Sequence, residues 1–338
     1  MTHRERIKLI LAGEPVDRCG LWLGNPHEET LKIYCNYFKV NSVEQLREVL
    51  GDDIRWIRPD RIGSYYHDPT GKTSFDRGFT KHTFGQPGPL ADCESVGQVE
   101  EFPWPDPEYL RFDDCLKVLE QTGDYYRMGG CWTDFFHQVA DLFGMEEYLV
   151  KMFTNPDVVH AVTDRVCQFY LAANEKFFEL AGDQIDGFFF GNDFGTQLDL
   201  LVRPEQFDQF ILPWFKKFIE QGHRHNHQVI LHSCGSIHKV IDRLIAAGVD
   251  CLHPLQAKAA NMDAETLAKD FRGSVAFMGA VDTQDLLVNS SPEEIKAEVK
   301  RLMEILGPQF IVSPSHEKIL PNIPPENIEA MADAVKGN

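Results

Sequence analysis

Eight short apolar segments, each separated from the next by one or more helical patterns, constrain this chain more than any other feature. They fall at 19–24, 53–57, 125–130, 184–190, 228–232, 249–253, 275–280 and 309–313. Helical spacing of apolar residues fills the intervals, at 2–13, 28–38, 42–50, 108–121, 134–153, 156–181, 204–223, 236–247, 263–271, 292–306 and 325–336. Short, nearly continuous apolar runs are the mark of strands buried on both faces, as in a parallel sheet covered by helices. Eight of them in this rhythm predict an α/β fold, a closed (β/α)8 TIM barrel. An open doubly wound sheet is the alternative, but no GxGxxG follows the first strand, so nothing supports a dinucleotide site. The 338 residues suit one such barrel, giving a single domain over 1–338. Residues 60–90 break the rhythm. They are rich in Gly, Pro, His and aromatics and alternate in KTSFDRGFTKHTF, which predicts a hairpin inserted after the second strand, a lid or interface arm.

Charge narrows the partners. With 52 acidic against 33 basic residues the net charge is −19, which disfavours nucleic acid and anionic membrane. No apolar run is long enough for a membrane span. The opening MTHRERIKLIL lacks an export-type apolar core, and the eight cysteines include no CxxC. A cytoplasmic protein with reduced thiols is expected. A homodimer is left open.

In parallel α/β folds ligands bind at the carboxyl ends of the strands. Polar and metal-capable side chains concentrate there: Trp22, Gly24 and Asn25; Arg58 and Asp60; Trp132; Asn192, Asp193 and Gln197; His232 and Cys234; His253 and Gln256; Asp282; His316 and Glu317. The most informative stretch is QVILHSCG, 228–235, an apolar strand that stops at a metal-capable cluster. Side chains alternate along an extended chain, so His232 and Cys234 share a side, and an imidazole and a thiolate can then share one zinc. His316, in SPSHEK, is the expected third ligand, with Glu317, Asp193 or His253 able to complete the shell. The alternative is a hydrogen-bonded pocket histidine beside a packed thiol. Asp193, after FFFGN, is expected to be a general acid, a substrate anchor or a helix cap, since an unpaired buried carboxylate is costly. Asn192 and Glu317 complete the catalytic set. Trp22, Asn25, Trp132, Gln197 and His253 are expected to bind substrate. The HRHNH cluster at 223–227 falls at the opposite end of the barrel, where stability rather than chemistry is expected.

These residues lie in a longer pattern: EPVDR (14–18), LGDDIRW (50–56), NDFGTQ (192–197), LVRPEQFDQFILPWFK (201–216), HSCG (232–235), GAVD (279–282) and IVSPSHEKILPNIPPENI (311–328). With them the chain resembles the uroporphyrinogen decarboxylase superfamily across nearly its whole length, which implies the same barrel. The decarboxylases carry an arginine-rich segment after the first strand; here 22–30 read WLGNPHEET, without arginine. The chain is more similar to the methylcobamide:coenzyme M methyltransferase branch, which holds zinc with HxC and a late cysteine. His232 and Cys234 match the pair, and His316 stands where the cysteine is expected. The resemblance implies a zinc-dependent enzyme moving a methyl group between a small substrate (a methoxylated aromatic, a methylamine or a thiol) and a corrinoid. No corrinoid-binding DxHxxG motif is present, so the cobalamin would be carried by a partner protein. The competing expectations are a metal-free lyase acting on a carboxylated tetrapyrrole or other ring, with Asp193 holding pyrrole-type N–H groups, and a non-catalytic tetrapyrrole carrier.

Overall fold

The computed structural model describes residues 1–63, 65–72, 74 and 86–337. Its strands are β1 (Gly20–Leu21), β2 (Ile54–Ile57), β3 (Tyr126–Gly129), β4 (Gly187–Gly191), β5 (Gln228–His232), β6 (Cys251–His253), β7 (Ala276–Val281) and β8 (Phe310–Pro314). All pair in parallel, in the order β1-β8-β7-β6-β5-β4-β3-β2. This is the expected barrel, with every strand end pointing its carboxyl side to one mouth.

Alternation splits the core in two. Residues pointing inward, among them Ile54, Met128, Phe189, Ile230, Met278 and Ile311, fill the barrel. Those pointing outward, such as Phe188, Phe190, Leu231 and Val312, pack under the helices. The first helix, His3–Ala12, presents Ile7, Ile10 and Leu11 to the interior set and stoppers the floor.

The join between β1 and β2 is made largely by two aspartates. Asp53 N–H donates to Leu21 O at 2.9 Å, and the Asp53 carboxylate accepts Leu21 N–H at 2.9 Å. Asp52 accepts from Leu23 and Ile54 N–H at 3.2 and 3.1 Å. Asp53 is then neutralised by Arg6 at 2.7 Å and Arg18 at 2.8 Å, with His3 Nδ1 hydrogen-bonded to it at 2.6 Å, and Asp52 by Arg47. The EPVDR and LGDDIRW segments are therefore the two halves of this closure.

Differences from the expected elements have local causes. Helix 204–223 contains a π-turn, Phe207–Ile211, before Leu212–Arg224. Pro213 has no N–H for the Gln209 carbonyl and its ring crowds that carbonyl, so the turn widens. A short 3-10 turn, Pro107–Tyr109, delays the next helix to Asp113–Gln121, and another, Gly182–Gln184, delays β4. Two short helices, Val96–Glu101 and Leu286–Asn289, were not anticipated. The hairpin expected within 60–90 rests on the alternation at 72–84, most of which lies outside the described residues. No helix among the described residues is long and apolar enough to cross a membrane.

A candidate metal centre at the barrel mouth

His232 is the last residue of β5, and β6 pairs with it in register, His232 against His253. Neighbouring strands in register put same-position side chains next to each other, and the two Nδ1 atoms stand 2.9 Å apart. On the other side β4 ends with Gly191 opposite His232. A Cβ at 191 would come within 2.7 Å of His232 Cβ and 2.8 Å of the Trp132 ring. Glycine is what lets those rings approach, with centroids 5.3 Å apart.

The chain leaves β5 through Ser233 and turns Cys234 back toward His232, with Sγ 3.6 Å from Nε2. The chain leaving β4 brings Asp193 to the same place. Its Oδ1 accepts Cys234 N–H at 2.8 Å and stands 3.3 Å from His232 Nε2. Its own N–H donates to His137 Nε2 at 3.0 Å. Asp193, His232 and Cys234 offer three donor atoms within 4.8 Å of one another. Zinc bond lengths with tetrahedral angles put nitrogen about 3.6 Å from sulfur and about 3.4 Å from a carboxylate oxygen. The observed 3.6 and 3.3 Å meet that geometry, so the residues present fit a zinc ion.

Electrostatics agree. Burial opposes a charge on His232, but the Glu317 carboxylate, the Asp193 contact and the Cys234 thiol outweigh it and hold the imidazole well above its ordinary value. Burial would likewise raise Asp193, and the adjoining His232 drives it below the usual carboxylate range instead. A cation bound there would displace that proton and face the same two carboxylates. His253 goes the other way: burial, then the charges of His232 and His316, keep it well below 6.5 and neutral.

Of the metal set expected from sequence, His232 and Cys234 converge, and Asp193, expected among the residues able to complete the shell, is the third donor that converges with them among the described residues. His316 sits at the rim, 44% exposed, with Nδ1 accepting Lys318 N–H at 3.0 Å. It reaches the centre through the Cys234 thiol, whose hydrogen bond raises its pKa. Glu317 lies deeper: Oε2 is 3.8 Å from His232 Nδ1 and 3.7 Å from His316 Nδ1, buried without a hydrogen-bond partner among the described residues. The other expected site residues separate clearly. Asn192 spends its amide on the backbone, accepting Phe136 N–H at 2.8 Å and donating to Thr133 O at 3.0 Å, so it ties two strand ends together. Trp22 and His253, expected to meet substrate, are fully enclosed, with Trp22 packed beneath His253 at 5.1 Å inside the barrel. Asn25 and Gln197 are exposed at the rim. Trp132 remains a wall residue, facing a cavity of about 420 Å³ with Arg58, Asp134, Gln138 and Tyr170. A second cavity, about 480 Å³, is lined by His316, Gln256, Gln284 and Lys318. Two contributors went unassigned in sequence. His137 orients the Asp193 backbone, and Arg58 lies over the Trp56 and Trp132 rings at 5.2 and 5.1 Å. Arg58 directly follows β2 and stood among the strand-end residues without a role. The HRHNH histidines stay at the floor: His223 pairs with Asp250 at 2.8 Å and His225 with Glu175 at 3.0 Å.

Fold and site together define a parallel barrel with an Asp-His-Cys cluster at its catalytic face. The chain belongs to the uroporphyrinogen decarboxylase (URO-D) family, which it matches over residues 126–337. No curated protein sequence matches it. Among solved structures it is similar to a methyltransferase from Methanosarcina mazei, with TM-score 0.69 and 19% identity over 100% of this chain and 99% of the other. A Listeria monocytogenes protein provisionally named a vitamin-B12-independent methionine synthase aligns at TM-score 0.42 and 11% identity, covering 95% of each chain, too loosely to argue from.

Proposed function

We propose that this protein is a zinc-dependent methyltransferase that moves a methyl group between a small substrate (a methoxylated aromatic, a methylamine or a thiol) and a corrinoid carried by a partner protein. The observation that carries the reading is the convergence of His232 Nε2, Cys234 Sγ and Asp193 Oδ1 at zinc-ligand spacing, beside cavities large enough for a substrate. Zinc held there supplies Lewis acidity, which favours the thiolate of a bound thiol or polarises an ether oxygen. The chain's own residues prepare the site. Trp132 and Phe189 wall the inner side of His232 and keep water from it. His316 lines the larger cavity, with Nδ1 accepting Lys318 N–H and the ring hydrogen-bonded to the Cys234 thiol, so it holds that sulfur in place. Glu317, with an unpartnered buried oxygen, is the proton acceptor in reach.

A metal-free lyase acting on a carboxylated ring finds some support in Arg58 and Arg61, cations beside the smaller cavity that the first-strand segment lacks. It needs Asp193 free to receive ring N–H groups, and that carboxylate already accepts Cys234 N–H and faces His232. The test is metal content followed by demethylation of methylcobalamin with a simple thiol as acceptor. About one zinc per chain and zinc-dependent demethylation are expected, both lost in His232→Ala and Cys234→Ala. Demethylation undiminished in Cys234→Ala refutes the proposal.

A further inference from the structure

We propose that His253 is a positioning residue for His232: its Nδ1 accepts the Nδ1–H of His232 and so turns the Nε2 lone pair of His232 toward Cys234 and Asp193. The inference rests on the metal reading above and adds to it a residue outside the ligand set.

A neutral imidazole has one N–H and one lone pair. A cation bound to His232 takes the Nε2 lone pair, so the ring's proton must sit on Nδ1. The atom nearest to that proton is His253 Nδ1 at 2.9 Å. Glu317 Oε2, the competing acceptor, is 3.8 Å away, beyond hydrogen-bond range. His253 therefore accepts on Nδ1 and keeps its own proton on Nε2. That atom is buried without a hydrogen-bond partner among the described residues, and its ring lies 5.1 Å from Trp22 and 5.4 Å from Phe189. At 1% exposure His253 has no face to offer a substrate.

The arrangement also fixes the ring plane. Trp132 packs on His232 from the β3 side at 5.3 Å and His253 from the β6 side at 5.0 Å. The two histidines owe their meeting to register, since each is the last residue of adjacent parallel strands. Histidine ligands of metals commonly give their second N–H to a carboxylate or carbonyl. Here the acceptor is a second imidazole.

The test is zinc affinity of the full chain by competition with a chromophoric chelator. His253→Ala is expected to weaken zinc about 10–100-fold while the melting curve stays cooperative. His253→Asn, whose amide oxygen lies where Nδ1 does, is expected to recover most of the loss. His253→Gln, whose amide lies nearer the Nε2 position, is expected not to. If the alanine variant does not fold, the Asn and Gln pair still decides. In nitrogen-15 spectra of the zinc-loaded protein, His232 is expected to carry its proton on Nδ1. Wild-type affinity in His253→Ala, or equal losses for Asn and Gln, overturns the inference. A wild-type chain that takes up no zinc overturns the metal reading itself, which is a separate result.

Discussion

Replacing Asp53 by alanine tests how the barrel is closed. Asp53 is fully buried and accepts from Leu21 N–H and from Arg6, Arg18 and His3. Its pKa is a contest between burial, which raises it, and His3 and Arg18, which win and bring it below the ordinary value. Arg18 has exits in Cys19 O and Gly51 O. Arg6 is 5% exposed, and its remaining carboxylate is Asp17. Removing one partner of a buried ion pair costs about 3–5 kcal/mol, because a charge is left behind without compensation. In a chain of this size each kcal/mol moves the midpoint by about 2 °C, so the loss is about 6–10 °C. The control is Asp17→Ala. It contacts the same arginine from a half-exposed position, where an ion pair is worth about 1 kcal/mol or less. The assay is thermal unfolding by circular dichroism at neutral pH. An Asp53→Ala midpoint within 2 °C of wild type, a margin set by that per-kcal/mol shift of about 2 °C, refutes the claim that this carboxylate holds β1 to β2.

Three further outcomes follow from the same geometry. Gly191→Ala should push Trp132 and His232 apart, since its Cβ would stand 2.8 and 2.7 Å from them; zinc affinity should fall at least tenfold with the fold retained, measured by chelator competition. His227 is buried against Phe178, its ring nitrogens without a partner among the described residues, and burial lowers its pKa to about 4. The unfolded chain binds a proton below about 6.5 and the folded one does not until about 4. Stability is therefore present above the unfolded value and lost as pH falls toward the folded one, by about 3 kcal/mol. His227→Phe should flatten urea-measured stability across that window, and an unchanged pH slope contradicts it. Asn192→Ala should cost about 2–3 kcal/mol by orphaning the Phe136 N–H and Thr133 carbonyl, read by denaturant unfolding, with zinc affinity nearly kept.

What could be read from the chain alone depended on range. Helix Pro156–Ala181 was legible to the residue, because Asn-Pro starts it, Gly182 stops it and apolar residues recur between. Strand Gln228–His232 was equally legible, and with it the pairing of His232 and Cys234. Features that depend on register between distant segments were not. His253 looked like a mouth residue until β6 aligned it directly with His232. Asp193 was one of three residues expected to complete the shell, and what sequence could not rank is that the loop after β4 folds it back onto Cys234 N–H. Asp53 read as the start of a strand, whereas its side chain and that of Asp52 join two strands. The widened turn at Phe207–Ile211 could have been read from Pro213.

The zinc-edge X-ray absorption spectrum of the protein loaded with one equivalent of zinc tests the central claim most directly. One sulfur at about 2.3 Å with nitrogen and oxygen neighbours at about 2.0–2.2 Å is expected, and the sulfur should vanish in Cys234→Ser. A spectrum of oxygen and nitrogen donors alone in the wild type, unchanged by that substitution, contradicts the assignment of the barrel mouth as a metal centre.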